Sequence, residues 1–523
     1  MSAVRNVEAH TAAALRLIGE ETPRVSTLRA TRREWIGLGV LAVPCLLYSM
    51  DLTVLNLAVP RISAALRPSG PELLWMLDIY GFLLAGFLIP MGNLGDRIGR
   101  RRLLLVGAMA FGIASVFAAF STSATMLIVA RAVLGIAAAT LAPSTLSLIR
   151  NMFLDPRQRT TAISVWVTSF SAGAALGPLL GGVLLQRFWW GSVFLLSVPV
   201  MGLLLILGPR LLPEFRDPNP RRLDVVSAGL SVATVLPVVW AIKQFAQDGP
   251  SWISAAALVV GLTVGVAFIR RQRSVADPLL DLQLLRIPAF SSALAINLLS
   301  LLALAGVFMF IAQYLQLVVG LSPWHAGLWT LPSAGALVVG SAATPLLVRR
   351  ARPGVAVAAS LFVAAAGFGI LTQVHGASGL FVVAFSSVLL ALGISPAVAL
   401  ATDLIVGAVP PEHAGMASGM SETSTELGGA LGIAILGAVG LAVYRSHIAH
   451  EALMSIPSVA AASNTLGAAL MVADHMPPES GALLRTLARD AFTQGLHVTS
   501  LVGAAITLGA AIMSGLVLGS RQR

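Results

Sequence analysis

The sequence predicts an all-α membrane protein with fourteen transmembrane helices, arranged as two six-helix halves with a helix pair inserted between them. Three observations carry that expectation. Of the 523 residues, 57% are hydrophobic and 11% charged, with a mean hydropathy of +0.86, whereas a soluble domain carries about 25% charged residues. Apolar windows of the roughly 20 residues that cross a bilayer recur fourteen times along the chain. Finally, the arginines alternate between rich and poor segments in step with those windows.

Taken in order, residues 1–33 are mixed and polar, carry arginines and show no signal-peptide cleavage pattern, so they read as a cytoplasmic tail. The first half, 34–209, holds spans at 36–58, 73–93, 103–121, 125–149, 161–185 and 190–208. A linker over 210–289 begins with the polar run PRLLPEFRDPNPRR and contains the inserted spans 224–243 and 252–269. The second half, 290–518, holds spans at 290–315, 326–348, 354–372, 379–404, 414–443 and 496–518. Between its last two spans lies an external segment, 445–495, polar, proline-containing and weakly amphipathic near 481–493. Residues 519–523 form a second cytoplasmic tail.

Cytoplasmic segments of membrane proteins hold the excess of Lys and Arg. With the N-terminus inside, inside segments hold 26 of the 34 basic residues, outside segments seven, and Arg131 lies within a span. A miscount by one span would exchange the sides downstream and erase this asymmetry. An even number of spans with both termini cytoplasmic is therefore expected. The net charge of +11 reports topology rather than nucleic-acid binding. Cys45 is the one cysteine and cannot form an internal disulfide, and no Cys/His cluster has metal-ligand spacing. The loop GNLGDRIGRRR after span 2 has a degenerate echo, GSAATPLLVRRARPG, after span 10, which places two related halves on either side of the inserted pair. Duplicated halves around a midplane site are a transporter's architecture.

Ionisable residues within spans are costly and mark function by default. Asp51 sits deep in span 1, Asp78 a turn from the outer end of span 2, and Arg131 a turn inside span 4. Glu422 and Glu426, four residues apart, share one face of span 13. Two such close carboxylates resist joint ionisation, the setting of a proton carrier, so Glu426 is a candidate for proton coupling. Asp403, near the inner end of span 12, reads as an ordinary solvated helix end. In span 5, Gly173, Gly177 and Gly181 recur every four residues, with Gly182 and the helix-bending Pro178 beside them. That pattern suits either tight static packing or a helix that flexes. Among the aromatics, Tyr48 and Trp75 are expected to face a cavity and to stack on a flat organic cation.

These segments resemble the major facilitator superfamily, and within it the fourteen-helix drug:proton antiporters. MDLTVLNLAVP resembles that family's helix 1 motif, GNLGDRIGRRR its loop 2–3 motif, LIVARAVLGIAAATLAPS its helix 4 motif and GAALGPLLGG the helix 5 motif associated with antiport. The resemblance covers essentially the whole chain. It implies the major facilitator fold and proton coupling through Asp51 and Arg131. It also implies cation binding by Asp78 and Glu422, and a cytoplasmic latch made by Asp96, Arg97 and Arg101. The chain departs from some relatives in having Ser421 before Glu422 and no acid in span 10, which points to mostly monovalent cations. The expected protein is a proton-driven multidrug exporter of lipophilic organic cations in the bacterial inner membrane. It should be monomeric, with no cofactor and no nucleic-acid partner. Export of an endogenous metabolite or antibiotic by the same fold is the competing expectation. A receptor or an enzyme is disfavoured, since the eight histidines show no catalytic grouping.

Overall fold

The computed structural model of the protein describes residues 29–68, 70–216, 224–248, 251–275, 278–375, 379–452 and 465–518. Most of the expected N-terminal tail, all of the expected 519–523 tail, residues 217–223 of the linker and 453–464 of the expected external segment lie outside the described residues. The described chain is helical throughout. The first half comprises α1 Arg32–Leu66, α2 Gly70–Ile98, α3 Arg100–Ala119, α4 Ala124–Met152 and α5 Pro156–Arg187, followed by α6 Ser192–Leu211. The inserted pair is α7 Val225–Asp248 and α8 Trp252–Ser274. The second half comprises α9 Pro288–Gln313, α10 Pro323–Arg350, α11 Pro353–Leu371, α12 Leu380–Gly407, α13 Ala414–Ala452 and α14 Pro478–Met513. Thirteen of these are long and apolar enough to cross a membrane. The fourteenth, α5, is 32 residues long.

The helix starts follow from the local sequence. Prolines stand at the first turn of α5, α9, α10, α11 and α14, where the missing N–H is no loss. Side chains of Thr31, Ser123, Asp155, Ser251 and Ser322 accept first-turn N–H groups of α1, α4, α5, α8 and α10. Asp224 accepts from Val226 and Ser227 at the start of α7, each at 3.1 Å, and also binds Arg271 of α8 at 2.9 and 3.0 Å. The Arg271 guanidinium holds the Asp224 carboxyl well below the usual carboxylate range.

The faint repeat seen in the sequence becomes a repeat of packing. In the first half α1 packs on α5, α2 on α4, α3 on α4, and α6 on α1 and α3; in the second, α9 packs on α13, α10 on α12, α11 on α12, and α14 on α9 and α11. The halves meet where α2 packs on α13 and α5 on α10, two seams related by the same repeat. The inserted pair is not a passive spacer. Its α7 packs on both α2 and α13, where Val235 and Val239 are buried with Phe82 and Ala85, so it covers one seam from the side.

The segment expected to be external, as a hairpin or a surface helix, is largely helix. Residues 445–452 continue α13, 478–495 form the first part of α14, and a short helix, Leu466–Asp474, packs on α14. Leu484, Ala488, Ala491 and Phe492 form a buried stripe against the second-half core. A stripe of that kind is amphipathic, and hydropathy averaging, which responds to helices apolar all round, passes over it.

Candidate functional site

The side chains that join the halves gather at the end of the molecule carrying the turn between α2 and α3, and at mid-depth. At that end, the Asp96 carboxylate accepts the N–H groups of Gly415 and Met416, both at 3.2 Å, on the first turn of α13. This places a negative charge against the positive end of a helix. Gly415 permits the approach, because a Cβ there would strike Asp96 and the Gly92 carbonyl. Arg100 binds Asp96 at 2.6 Å and reaches the Pro411 carbonyl at 2.7 Å. Beside it, Arg159 of α5 pairs with Asp403 of α12 at 2.6 Å, and Arg150 donates to the Val406 carbonyl at 3.2 Å.

Of the three expected latch residues, Asp96 makes the crossing contact. Arg97 is exposed, and Arg101 pairs with Glu214 at 3.5 Å within the first half and its linker. The arginine that crosses is Arg100, which lies in the same loop and has no property in the sequence to separate it from its neighbours. Asp403 is not the solvated helix end expected of it. It is 8% exposed and accepts from both Arg159 and Thr160, because α5 of the other half lies over it.

At mid-depth Asp51 and Arg131 form an ion pair at 2.5 Å, with the arginine 1% exposed. The guanidinium also donates to the Met76 carbonyl at 3.3 Å and lies 4.5 Å from the Tyr80 ring centroid. Tyr48, one turn before Asp51 on α1, crosses between the halves and donates to Glu426 at 3.0 Å.

Next to these groups is a cavity of about 240 Å³, walled by α5 on one side and by α9, α10, α12 and α13 on the other. Trp166 and Phe170 of α5, packed edge to face at 4.6 Å, and Leu301, Ile394 and Val398 make it apolar. The Trp166 ring is held by its N–H, which donates to Thr145 at 3.0 Å. Glu422 is the one ionisable side chain among the lining residues. It is 6% exposed.

The other expected site residues lie elsewhere. Trp75 is 43% exposed and stands edge-on to Phe82, away from the cavity wall, and Asp78 is half-buried on α2. Tyr48 packs on Phe170 behind the wall. In the glycine motif, Gly173 lets α5 lie against the backbone of α1 at Leu46, Gly181 meets Val54, Gly182 faces open space and Gly177 is buried. The Pro178 side chain lies outside the described residues. The motif thus packs α5 onto α1 inside the first half. Phe170 and Arg159 had no separate signal in the sequence, and Trp166 was only one of several aromatics there, since ring and charge mean nothing until α5 is set against α10 and α12.

An apolar cavity with one carboxylate thus lies between two halves that repeat each other's packing. The sequence profile of the Major Facilitator Superfamily matches residues 45–433. The chain belongs to the major facilitator superfamily. Within that superfamily it is similar to the multidrug efflux pump LfrA of Mycolicibacterium smegmatis, 45% identical over 95% of this chain and 98% of that one. It is also similar to the methyl viologen resistance protein SmvA of Salmonella typhimurium, 36% identical over 88% and 93%. The tetracenomycin C resistance and export protein of Streptomyces glaucescens is 29% identical over 92% and 91%. Among solved structures, the human organic anion transporter MFSD10 superposes with a TM-score of 0.62 at 16% identity, over 92% of this chain and all of the other, which shows the shared fold. This major facilitator protein is a multi-pass membrane transporter of a multidrug efflux family rather than an enzyme.

Proposed function

We propose that the protein exports lipophilic, mostly monovalent organic cations in exchange for protons. The observation that carries this reading is Glu422, a carboxylate in an apolar, aromatic-walled cavity between the halves, whose surroundings suit a cation with a large hydrophobic body. SmvA, 36% identical, bears the name of methyl viologen, a flat organic dication, which supports organic cations as the substrate class; the single charge rests on the absence of an acid in span 10. Asp51, Arg131 and Glu426 are the proton-coupling groups, and Asp78 guides cations toward the cavity from α2. Asp96 and Arg100, with Arg159 and Asp403, hold the halves together at one end. The arginine bias makes that end cytoplasmic, so the conformation seen is closed to the cytoplasm. The protein acts as a monomer in the bacterial inner membrane. The cavity is slightly smaller than the roughly 300–1,000 Å³ of drug-sized sites, so entry of a drug requires the halves to part.

The name of the tetracenomycin C exporter, 29% identical, favours a second reading in which the substrate is an antibiotic or metabolite made by the cell. Dye accumulation in everted vesicles, where export runs into the lumen, measured with and without an imposed proton gradient, tests the first. Gradient-independent efflux, or transport of neutral compounds only, would refute it. For sidedness, single cysteines replace Ser274 and His475 in a background lacking Cys45. Impermeant reagent applied to intact cells should modify the second and spare the first.

A further inference from the structure

We infer that the Tyr48 hydroxyl is a positioning group that carries the protonation state of Glu426, in the second half, to the Asp51–Arg131 pair in the first. This rests on the proton-antiport reading and deepens it. The Tyr48 ring is 5% exposed and its surroundings are taken up by Phe170, edge-on at 5.3 Å, and Tyr80, tilted at 6.4 Å. Little of the ring is left for a substrate. The hydroxyl has a different use, because it donates across the interface to Glu426.

The groups around this bond form one connected patch drawn from four helices. Asp51 is three residues beyond Tyr48 on α1, on the same helix face, and holds Arg131 of α4. Arg131 lies over the ring of Tyr80 of α2. The Tyr80 hydroxyl is wholly buried with no hydrogen-bond partner among the described residues. It lies close enough to Asp51, Arg131 and Glu426 to feel their charges, as Tyr48 feels both Glu426 and Glu422. The charged Asp96 and Arg100 meet α13 at its first turn, eleven residues before Glu426. From α9 the Asn297 amide is committed to Ser421, Ser424 and Thr425, and from α7 the apolar Leu236 and Trp240 pack beside Leu427.

An ionised Glu426 accepts the Tyr48 O–H in a charge-assisted hydrogen bond, and a proton arriving at Glu426 removes that assistance. The tie between α1 and α13 then weakens at mid-depth. Tyr48 is free to turn, and the helix bearing Asp51 can move with respect to the second half. Proton uptake at one acid is thereby felt at the other, although the two carboxylates belong to different halves.

The test uses the full-length protein in proteoliposomes with tetraphenylphosphonium as the probe. Tyr48→Phe keeps the ring and its packing and removes only the hydroxyl. Proton-driven uphill transport should fall at least about tenfold. Gradient-free tetraphenylphosphonium exchange, and binding in detergent, should stay within about threefold of the parent. Glu426→Gln should give the same split, and the double variant should transport no more slowly than the slower single variant, because both changes cut one link. Uphill transport at the parent rate in Tyr48→Phe would overturn the inference, as would losses that multiply in the double variant. So would a tenfold loss of probe binding, which would return Tyr48 to the substrate surface. A parent protein indifferent to the proton gradient would sink the antiport reading and this inference together. A gradient-driven parent with an unaffected Tyr48→Phe sinks this inference alone.

Discussion

Arg159 and Asp403 lie 2.6 Å apart with side chains only 14% and 11% exposed, and they join the first turn of α5 to the last turns of α12. The same two helices form facing walls of the cavity, Trp166 and Phe170 on one and Val398 and Thr402 on the other. Anything that pushes those walls apart is thus opposed by a largely desolvated ion pair at one end of both helices.

Removing one member of such a pair leaves the other charge uncompensated, at a cost on the order of 3 kcal/mol, or about a hundredfold in the ratio of open to closed forms. Asp403→Ala should therefore favour opening at that end. A cysteine replacing Ser418, buried beside Ser147 at the interface, should react with maleimide at least about tenfold faster in Asp403→Ala than in its parent, Cys45 being absent from both. An unchanged rate would mean that the pair does not govern closure.

Asp96→Asn keeps the side chain's size but removes the charge that faces the first turn of α13. Turnover should fall by roughly five- to thirtyfold, from a loss of about 1–2 kcal/mol at the helix end, while equilibrium binding of cations changes by no more than a few fold. Binding lost from a folded Asp96→Asn protein would place this residue in the substrate site instead.

Glu422→Gln should discriminate by charge. A hydrogen bond or contact to a charged group contributes about 1.5–3 kcal/mol, so cation affinity should drop about ten- to a hundredfold. Neutral compounds of similar shape should bind within about twofold of the parent, because the apolar wall is untouched. Fluorescence titration with matched cationic and neutral dyes provides the comparison, and equal losses for both would count against the role assigned to Glu422.

The Asp224–Arg271 clamp between α7 and α8 provides a pH control. The Asp224 carboxyl is held below its ordinary value in the folded protein. Its contribution is therefore fully present above the unfolded carboxylate value and is lost as pH falls through the lower, folded one. Asp224→Asn should lower Tm by an amount that is constant from pH 5 to 9 and shrinks only in strong acid. A difference that varied between pH 6 and 8 would show that the clamp titrates in the working range.

Much of the fold is legible in the sequence because lipid imposes a one-dimensional rule. Each crossing must be a long apolar helix with its backbone satisfied internally, and each cytoplasmic turn gathers arginine. The span count, the duplicated halves, the inserted pair and the cost of Asp51, Arg131, Glu422 and Glu426 all follow from composition and spacing. The helical continuation over 478–495 is legible only as a weak amphipathic pattern near 481–493, because it depends on one buried stripe.

Which charges meet is a different kind of fact. Nothing in the spacing distinguishes Arg100 from Arg97 and Arg101, or marks Asp403 as the partner of Arg159, 244 residues away. The wall formed by Trp166 and Phe170, the seat of α7 across α2 and α13, and the bond from Tyr48 to Glu426, 378 residues apart, are equally invisible. The sequence by itself determined how many long apolar helices the chain forms and which side chains are costly within them, because those depend on the solvent around each segment. Only the tertiary structure decided their partners, because hydrogen bonds and ion pairs act over about 3 Å, and the packing of one half against the other sets which atoms come that close.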